Sequence, residues 1–139
     1  MAGANQPQKP RPAPIAATKP FWDGLRENRL RIPQCDACGQ WVFYPRFRCT
    51  NCLSDELTWR DTRGRGTIYT FTVGRQATHP AFGDEVPQLL GVVELAEGPR
   101  LTTTFQEVGI EELAVGMAVE AVYDHGDDGM TLLRFRPAG

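Results

Sequence analysis

Cys35-Asp36-Ala37-Cys38 and Cys49-Thr50-Asn51-Cys52 are two C-x2-C pairs separated by ten residues. Two residues between cysteines allow a tight turn that aims both thiolates at one point, while backbone N–H groups help to neutralise the sulfurs. Two such turns complete a tetrahedron. Four thiolates at about 2.3 Å from a closed-shell ion leave no position open for water. Cys35, Cys38, Cys49 and Cys52 are therefore expected to hold a structural zinc ion rather than a catalytic one. The segment around them has little apolar mass of its own, and bound zinc contributes roughly 10 to 16 kcal/mol to folding in comparable small modules.

Disulfides are the alternative that an oxidising compartment would bring. The N-terminus MAGANQPQKP lacks the apolar core of a secretion signal, so the expected compartment is the cytoplasm, with no membrane span. Iron is the rival metal. A four-cysteine site with this spacing also resembles rubredoxin, whose iron cycles by one electron, and a rubredoxin-like electron carrier is one alternative function. Rubredoxin knuckles generally place Gly after each pair. Here Gly39 follows Cys38 but Leu53 follows Cys52, which favours zinc.

Other reacting groups are scarce. Ser54 is the single serine, His79 and His125 are the two histidines, and the 15 basic residues comprise 13 arginines and only Lys9 and Lys19. Nucleophile-and-base pairs and Schiff-base chemistry thus have few candidates, which argues against catalysis. The chain of 139 residues is 41% hydrophobic and 23% charged, enough for one compact unit or two very small ones. Its formal charge of −2 hides an asymmetry: residues 1–66 carry 11 basic against 6 acidic side chains, and residues 67–139 carry 4 against 11. Two modules are expected.

The elements that must position the cysteines follow from local pattern. Five of the eleven prolines fall in the first 20 residues, so 1–19 is expected to be a flexible Pro-rich tail or linker. Residues 20–32 form the expected N-terminal helix, with Pro20 in the first turn and Phe21, Trp22, Leu25 and Leu30 on an apolar face. The four-cysteine ribbon is placed at 33–62. Beyond it the period changes to two: TIYTFTV, QLLGVVEL, LTTTFQ, MAVEAVYD and MTLLRFR predict five strands over 63–139, with Glu97-Gly98-Pro99 closing a hairpin and 108–115 a short helical crossover. The fold class expected is mainly β, with the helix and ribbon followed by a five-stranded barrel of the OB type.

Several residues admit a functional and a plainer reading. Trp41, Phe43, Tyr44 and Phe47 beside Arg46 and Arg48 could stack bases next to phosphates, giving a single-strand nucleic-acid binder as a further alternative. Rings that cover the metal site and the helix are the favoured explanation, because the barrel carries the negative charge and repels a polyanion. Arg63-Gly64-Arg65-Gly66 could converge amides on an anion or act as a hinge. His79 in the 74–87 loop could serve as a base or be structural, and Asp124, Asp127 and Asp128 are expected to form a solvated turn.

The ordered set FWDGL, CDACG, FYPR, CTNC, GRGTIYTFTV, VVELAEGPRL and VGMAVEAVYD resembles the zinc-ribbon plus OB-fold proteins called domain of unknown function 35, over about residues 20 to 136. That resemblance implies an accessory role beside thiolase-fold enzymes that act on acyl-CoA thioesters. In its most similar form the partner is a lipid-transfer-protein-type aldolase of bacterial steroid side-chain breakdown, which cleaves a β-hydroxyacyl-CoA by a retro-aldol step. It further implies no catalytic residues here, metal ligation by the four cysteines, two copies each of subunit and partner, and a fused or associated hot-dog-fold hydratase. In that setting Phe21, Trp22 and Phe82 are the candidate partner anchors, and Arg63 and Arg65 the candidates for a coenzyme A phosphate.

Overall fold

The computed structural model describes residues 8–139; the first seven residues of the expected tail lie outside the described part. One helix, α1 (Lys19–Arg26), precedes seven strands: β1 (Arg31–Cys35), β2 (Leu57–Asp61), β3 (Arg65–Gly74), β4 (Gln88–Leu95), β5 (Arg100–Thr104), β6 (Ala118–His125) and β7 (Thr131–Pro137).

The helix is shorter than the 20–32 expected. Asn28 adopts φ 60°, and the Asn28 and Arg29 N–H groups turn back onto the Leu25 and Gly24 carbonyls at 3.0 and 2.9 Å. This is a Schellman stop with Asn in place of the usual Gly. Gly24 is required beneath it, since a Cβ there would lie 2.9 Å from the Arg29 carbonyl oxygen. Leu30 and Ile32 then belong to the approach to β1 and to β1 itself, which pairs antiparallel with β2 from Arg31↔Asp61 to Cys35↔Leu57.

The five remaining strands form one sheet in the order β5-β4-β3-β6-β7, every neighbour antiparallel. Its outer strands approach each other at a parallel bridge between Phe105 and Phe135, so the sheet is a nearly closed barrel with Greek-key connectivity. Expected and observed strands agree to within a residue or two at most ends. Between β5 and β6 the expected helical crossover is instead a run of turns. Eight residues are too few for a helix to persist without packing. The segment is pinned by buried Leu113 and by bonds between Gly116 and Met117 and the backbone of Ile68.

Two apolar clusters hold the molecule. The large one joins Phe21 and Leu25 of α1, with Leu30 and Ile32, to Ile68, Val93, Leu101, Val119 and Phe135 of the barrel. The small one is Cys35, Val42 and Cys49 with Leu57 beside them. The helix therefore shares its core with the barrel, while Ile32 of β1 and the rings of Phe43 and Trp59 bring the ribbon onto the same cluster. Residues 8–18, expected as part of a flexible tail or linker, are drawn onto the barrel by ion pairs from Lys9 to Glu85 at 2.6 Å and Arg11 to Asp128 at 2.8 Å. Prolines fix the extended backbone there and lower the entropy lost in that contact.

Candidate functional site

The two C-x2-C pairs sit on equivalent turns. Cys35 ends β1, and its N–H reaches the Gln40 carbonyl at 2.8 Å; the Cys49 N–H reaches the Ser54 carbonyl, also at 2.8 Å. All four sulfurs lie within 4.8 Å of one another. The Cys35–Cys52 and Cys38–Cys49 separations are both 3.6 Å. A tetrahedron of thiolates about 2.3 Å from a central ion has edges of roughly 3.8 Å. The four cysteines thus fit a metal ion as they stand, and all four are free of disulfides.

The surroundings favour charge on the sulfurs unevenly. The Gln40 N–H, then the Asn51 side-chain amide, lower the Cys38 thiol to about 6. At Cys52 the Ser54 N–H pulls the same way, but sharing a proton with Cys35, together with partial desolvation by its neighbours, pushes that thiol up to about 12. Four thiolates crowded together need a cation to give up the last proton, which is what a divalent ion supplies. Cys35 and Cys49 are buried and Cys38 and Cys52 exposed, so one flank of the cage faces solvent.

An apolar groove of about 440 Å³ runs between the ribbon, α1 and the barrel. Phe21, Trp22 and Leu25 form one wall, Phe43 and Tyr44 of the ribbon another, and Leu101 and Leu133 of the barrel the floor. Rings meet along it: Phe21 and Trp22 edge-to-face at 5.1 Å, and Phe43 tilted against Phe21 at 5.8 Å and against Tyr44 at 4.4 Å. Trp41 and Phe43 pack against the core, as the covering reading expects. Tyr44 and Phe47 do not; they are 57% and 69% exposed.

The remaining candidates are dispersed. Phe21, expected as a partner anchor, is 8% exposed and belongs to the core. Trp22 is half-buried on the groove wall, and Phe82 is half-buried on a 3-10 helix (Pro80–Glu85) on the long loop. His79 caps that helix by accepting the Ala81 N–H at 3.0 Å, a structural task. Arg63 and Arg65 are exposed. The Arg63 backbone N–H donates to Glu97 Oε2 at 2.9 Å. Arg65 lies 3.6 Å from Glu120.

Sequence reasoning passed over one contact. His125 Nε2, at the end of β6, lies 2.6 Å from Asn28 Oδ1, and its Nδ1 lies 2.9 Å from Thr131 Oγ1. This ties the helix stop to the barrel. The Asn at a helix end was its only local signal.

Comparison with known proteins places these features in a family. The model described as the ChsH2 rubredoxin-like zinc ribbon domain matches residues 22–58, and that described as the ChsH2 C-terminal OB-fold domain matches residues 59–124. A Methanocaldococcus jannaschii protein named DUF35 domain-containing scaffold protein is 31% identical over 124 residues, 84% of this chain and 87% of that one. The chain belongs to the DUF35 family. This DUF35 chain is also 34% identical to a probable enoyl-CoA hydratase alpha subunit of Thermomonospora curvata, over 94% of its own length and 40% of the relative's. It is 32% identical to the 3-oxo-4,17-pregnadiene-20-carboxyl-CoA hydratase alpha subunit of Mycobacterium tuberculosis, over 81% and 35%. It therefore spans less than half the length of these two relatives. Among solved structures, a chain of the Ltp2-ChsH2(DUF35) aldolase superposes with a TM-score of 0.83 at 32% identity, covering 93% of this chain and 100% of that one. Among the described residues no helix is long and apolar enough to cross a membrane.

Proposed function

We propose that this DUF35 chain is a non-catalytic accessory subunit that docks on a thiolase-fold acyl-CoA enzyme and holds it in its working shape. The partner is an aldolase performing retro-aldol cleavage of a steroid side-chain β-hydroxyacyl-CoA. The observation that carries this reading is the likeness, over the whole of that chain, to a subunit of the Ltp2-ChsH2(DUF35) aldolase. The two hydratase alpha subunits agree with it, since hydration of an enoyl-CoA yields the β-hydroxyacyl-CoA that a retro-aldol step consumes. A hot-dog-fold hydratase joined to or associated with this module would hand over that substrate directly.

The chain's own residues supply form rather than chemistry. Zinc, held by Cys35, Cys38, Cys49 and Cys52, would stiffen the arm; α1 and the barrel provide the base on which it stands. Trp22 on the groove and Phe82 on the long loop are the anchors retained from the sequence, and Tyr44 joins them. Thiolase-fold enzymes are commonly dimers, so two copies of each are proposed, working in the cytoplasm, where the thiols stay reduced.

Co-expression with the thiolase-fold aldolase of the same organism tests this. The two should co-elute as an assembly with two copies of each. The aldolase should be insoluble or inactive alone and release a short acyl-CoA once the subunit is added. Full activity of the isolated aldolase, or turnover of an acyl thioester by the lone DUF35 chain, would overturn the proposal.

A further inference from the structure

The two metal knuckles share one backbone design and differ in one telling residue. In each, the residue after the second cysteine returns its N–H to the carbonyl of the first: Gly39 to Cys35 at 2.8 Å, and Leu53 to Cys49 at 3.0 Å. Both turning residues have positive φ, 80° at Gly39 and 65° at Leu53. Glycine adopts that conformation freely, whereas the Cβ of a leucine crowds its own backbone there. Space does not explain the choice at the first knuckle, because a Cβ on Gly39 would meet nothing within 4 Å. Conformation does, and the same conformation disfavours Leu53.

The leucine gains little inside the chain in return. Its side chain is 70% exposed, and Phe47 on the same knuckle is 69% exposed. Arg46 and Arg48 flank Phe47, both exposed. Among the described residues neither has a carboxylate within ion-pairing distance, although Arg48 Nη1 holds the Leu53 carbonyl oxygen at 3.1 Å. No Asp or Glu occurs from Ala37 to Ser54, so the tip carries two cations and no counter-charge. Two large apolar side chains beside two unneutralised guanidinium groups are half of an interface.

We infer that Leu53 and Phe47, flanked by Arg46 and Arg48, form a plug that seats in an apolar socket ringed by carboxylates on the partner enzyme. The inference rests on the accessory-subunit reading and adds where the arm touches. Guanidinium groups keep their charge when desolvated and form forked bonds to carboxylates, so acidic side chains are the complement the tip asks for. A nucleic acid fits less well, since an aliphatic side chain offers bases no ring on which to stack.

The decisive variant is Leu53→Gly, which relieves the strained turn while removing the plug. The full zinc-loaded chain and its aldolase partner are titrated by calorimetry, with zinc content and Tm measured on the free subunit. Leu53→Gly should keep one zinc, melt at or above the wild-type temperature, and bind with a Kd raised at least about tenfold. Arg46→Glu should likewise raise the Kd while leaving zinc and Tm unchanged. Loss of zinc or a lower Tm in Leu53→Gly would show that the leucine serves the fold and would overturn the inference. So would wild-type affinity in both variants. Binding to phosphatidylglycerol vesicles or to a labelled oligonucleotide that disappears in Leu53→Gly, with aldolase affinity unchanged, would overturn it in favour of those ligands. Wild-type subunit that fails to bind the aldolase at all overturns the accessory reading, and this inference with it.

Discussion

Phe105 and Phe135 meet in the one parallel bridge between the outer strands of the barrel, and the Gln106 N–H closes the seam on the Phe135 carbonyl at 2.8 Å. Phe135 is fully buried at this closure. Replacing it removes both a large apolar side chain and the surface on which the barrel shuts. Phe135→Ala should cost about 3–5 kcal/mol of unfolding free energy, read from urea denaturation. A loss below about 1 kcal/mol would mean that the barrel does not close on this side chain.

Gly91 faces the same seam from β4. A Cβ there would press on the Thr70 carbonyl and lie 2.7 Å from Cε2 of Phe105. The strand register shifts next to it, between Ile68 and Thr70. Gly91→Ala should therefore destabilise by about 1–3 kcal/mol, through overpacking rather than a lost contact. Thermal unfolding of the variant checks this, and a Tm equal to wild type would count against the tight approach.

The barrel was readable because its strands advertise themselves locally. TIYTFTV and QLLGVVEL alternate or cluster β-branched residues within eight positions, and the turns between strands carry Gly and Asp. The metal cage was readable because ligand spacing is itself the geometry. The helix end, the ordered approach of Arg11 to Asp128, and the contact of His125 with Asn28 were not. The last joins residues 97 apart in the chain, and no window of local periodicity spans that distance. The 108–115 segment looked helical for a related reason. Its apolar positions serve a turn anchored by Leu113, and composition alone does not separate the two.

Metal analysis of the purified chain should give one zinc and no visible absorbance; a red protein would establish iron instead. Chelation should unfold the knuckles while the barrel stays folded, because Cys35, Val42 and Cys49 form a cluster apart from the one that holds α1. Amide exchange should accelerate at the two knuckles, 35–39 and 49–53, and remain slow at Ile68 and Val93. Collapse of the whole exchange pattern would contradict the separation.

Asn28 both adopts the left-handed turn and carries the carbonyl that faces His125 at 2.6 Å. Asn28→Ala loses the residue's tolerance for that turn and the link to the barrel, at a cost of about 1–2 kcal/mol. Asn28→Gly should recover the share due to the turn alone. Denaturation of both variants separates the contributions.

The carboxyl of Asp128 is held below its ordinary range by its hydrogen bonds from Arg11 and, to a lesser degree, from the Met130 N–H. A pKa lowered in the folded state contributes stability that is full above the unfolded value of about 3.9 and is lost as pH falls through the folded value. The Arg11 contact should therefore persist at neutral pH and open only in acid below that value. The Arg11 Nε–H signal in NMR reports it, and detachment already at pH 6 would be inconsistent with the pairing.

Because the tip and the barrel are stabilised by different side chains, substitutions in one should add to those in the other rather than compound them. Tip residues can then be exchanged without eroding the foundation. On the docking role proposed above, a lineage could shift allegiance from one enzyme to another by redrawing a handful of surface positions, while the heavier architecture behind them stays as it was.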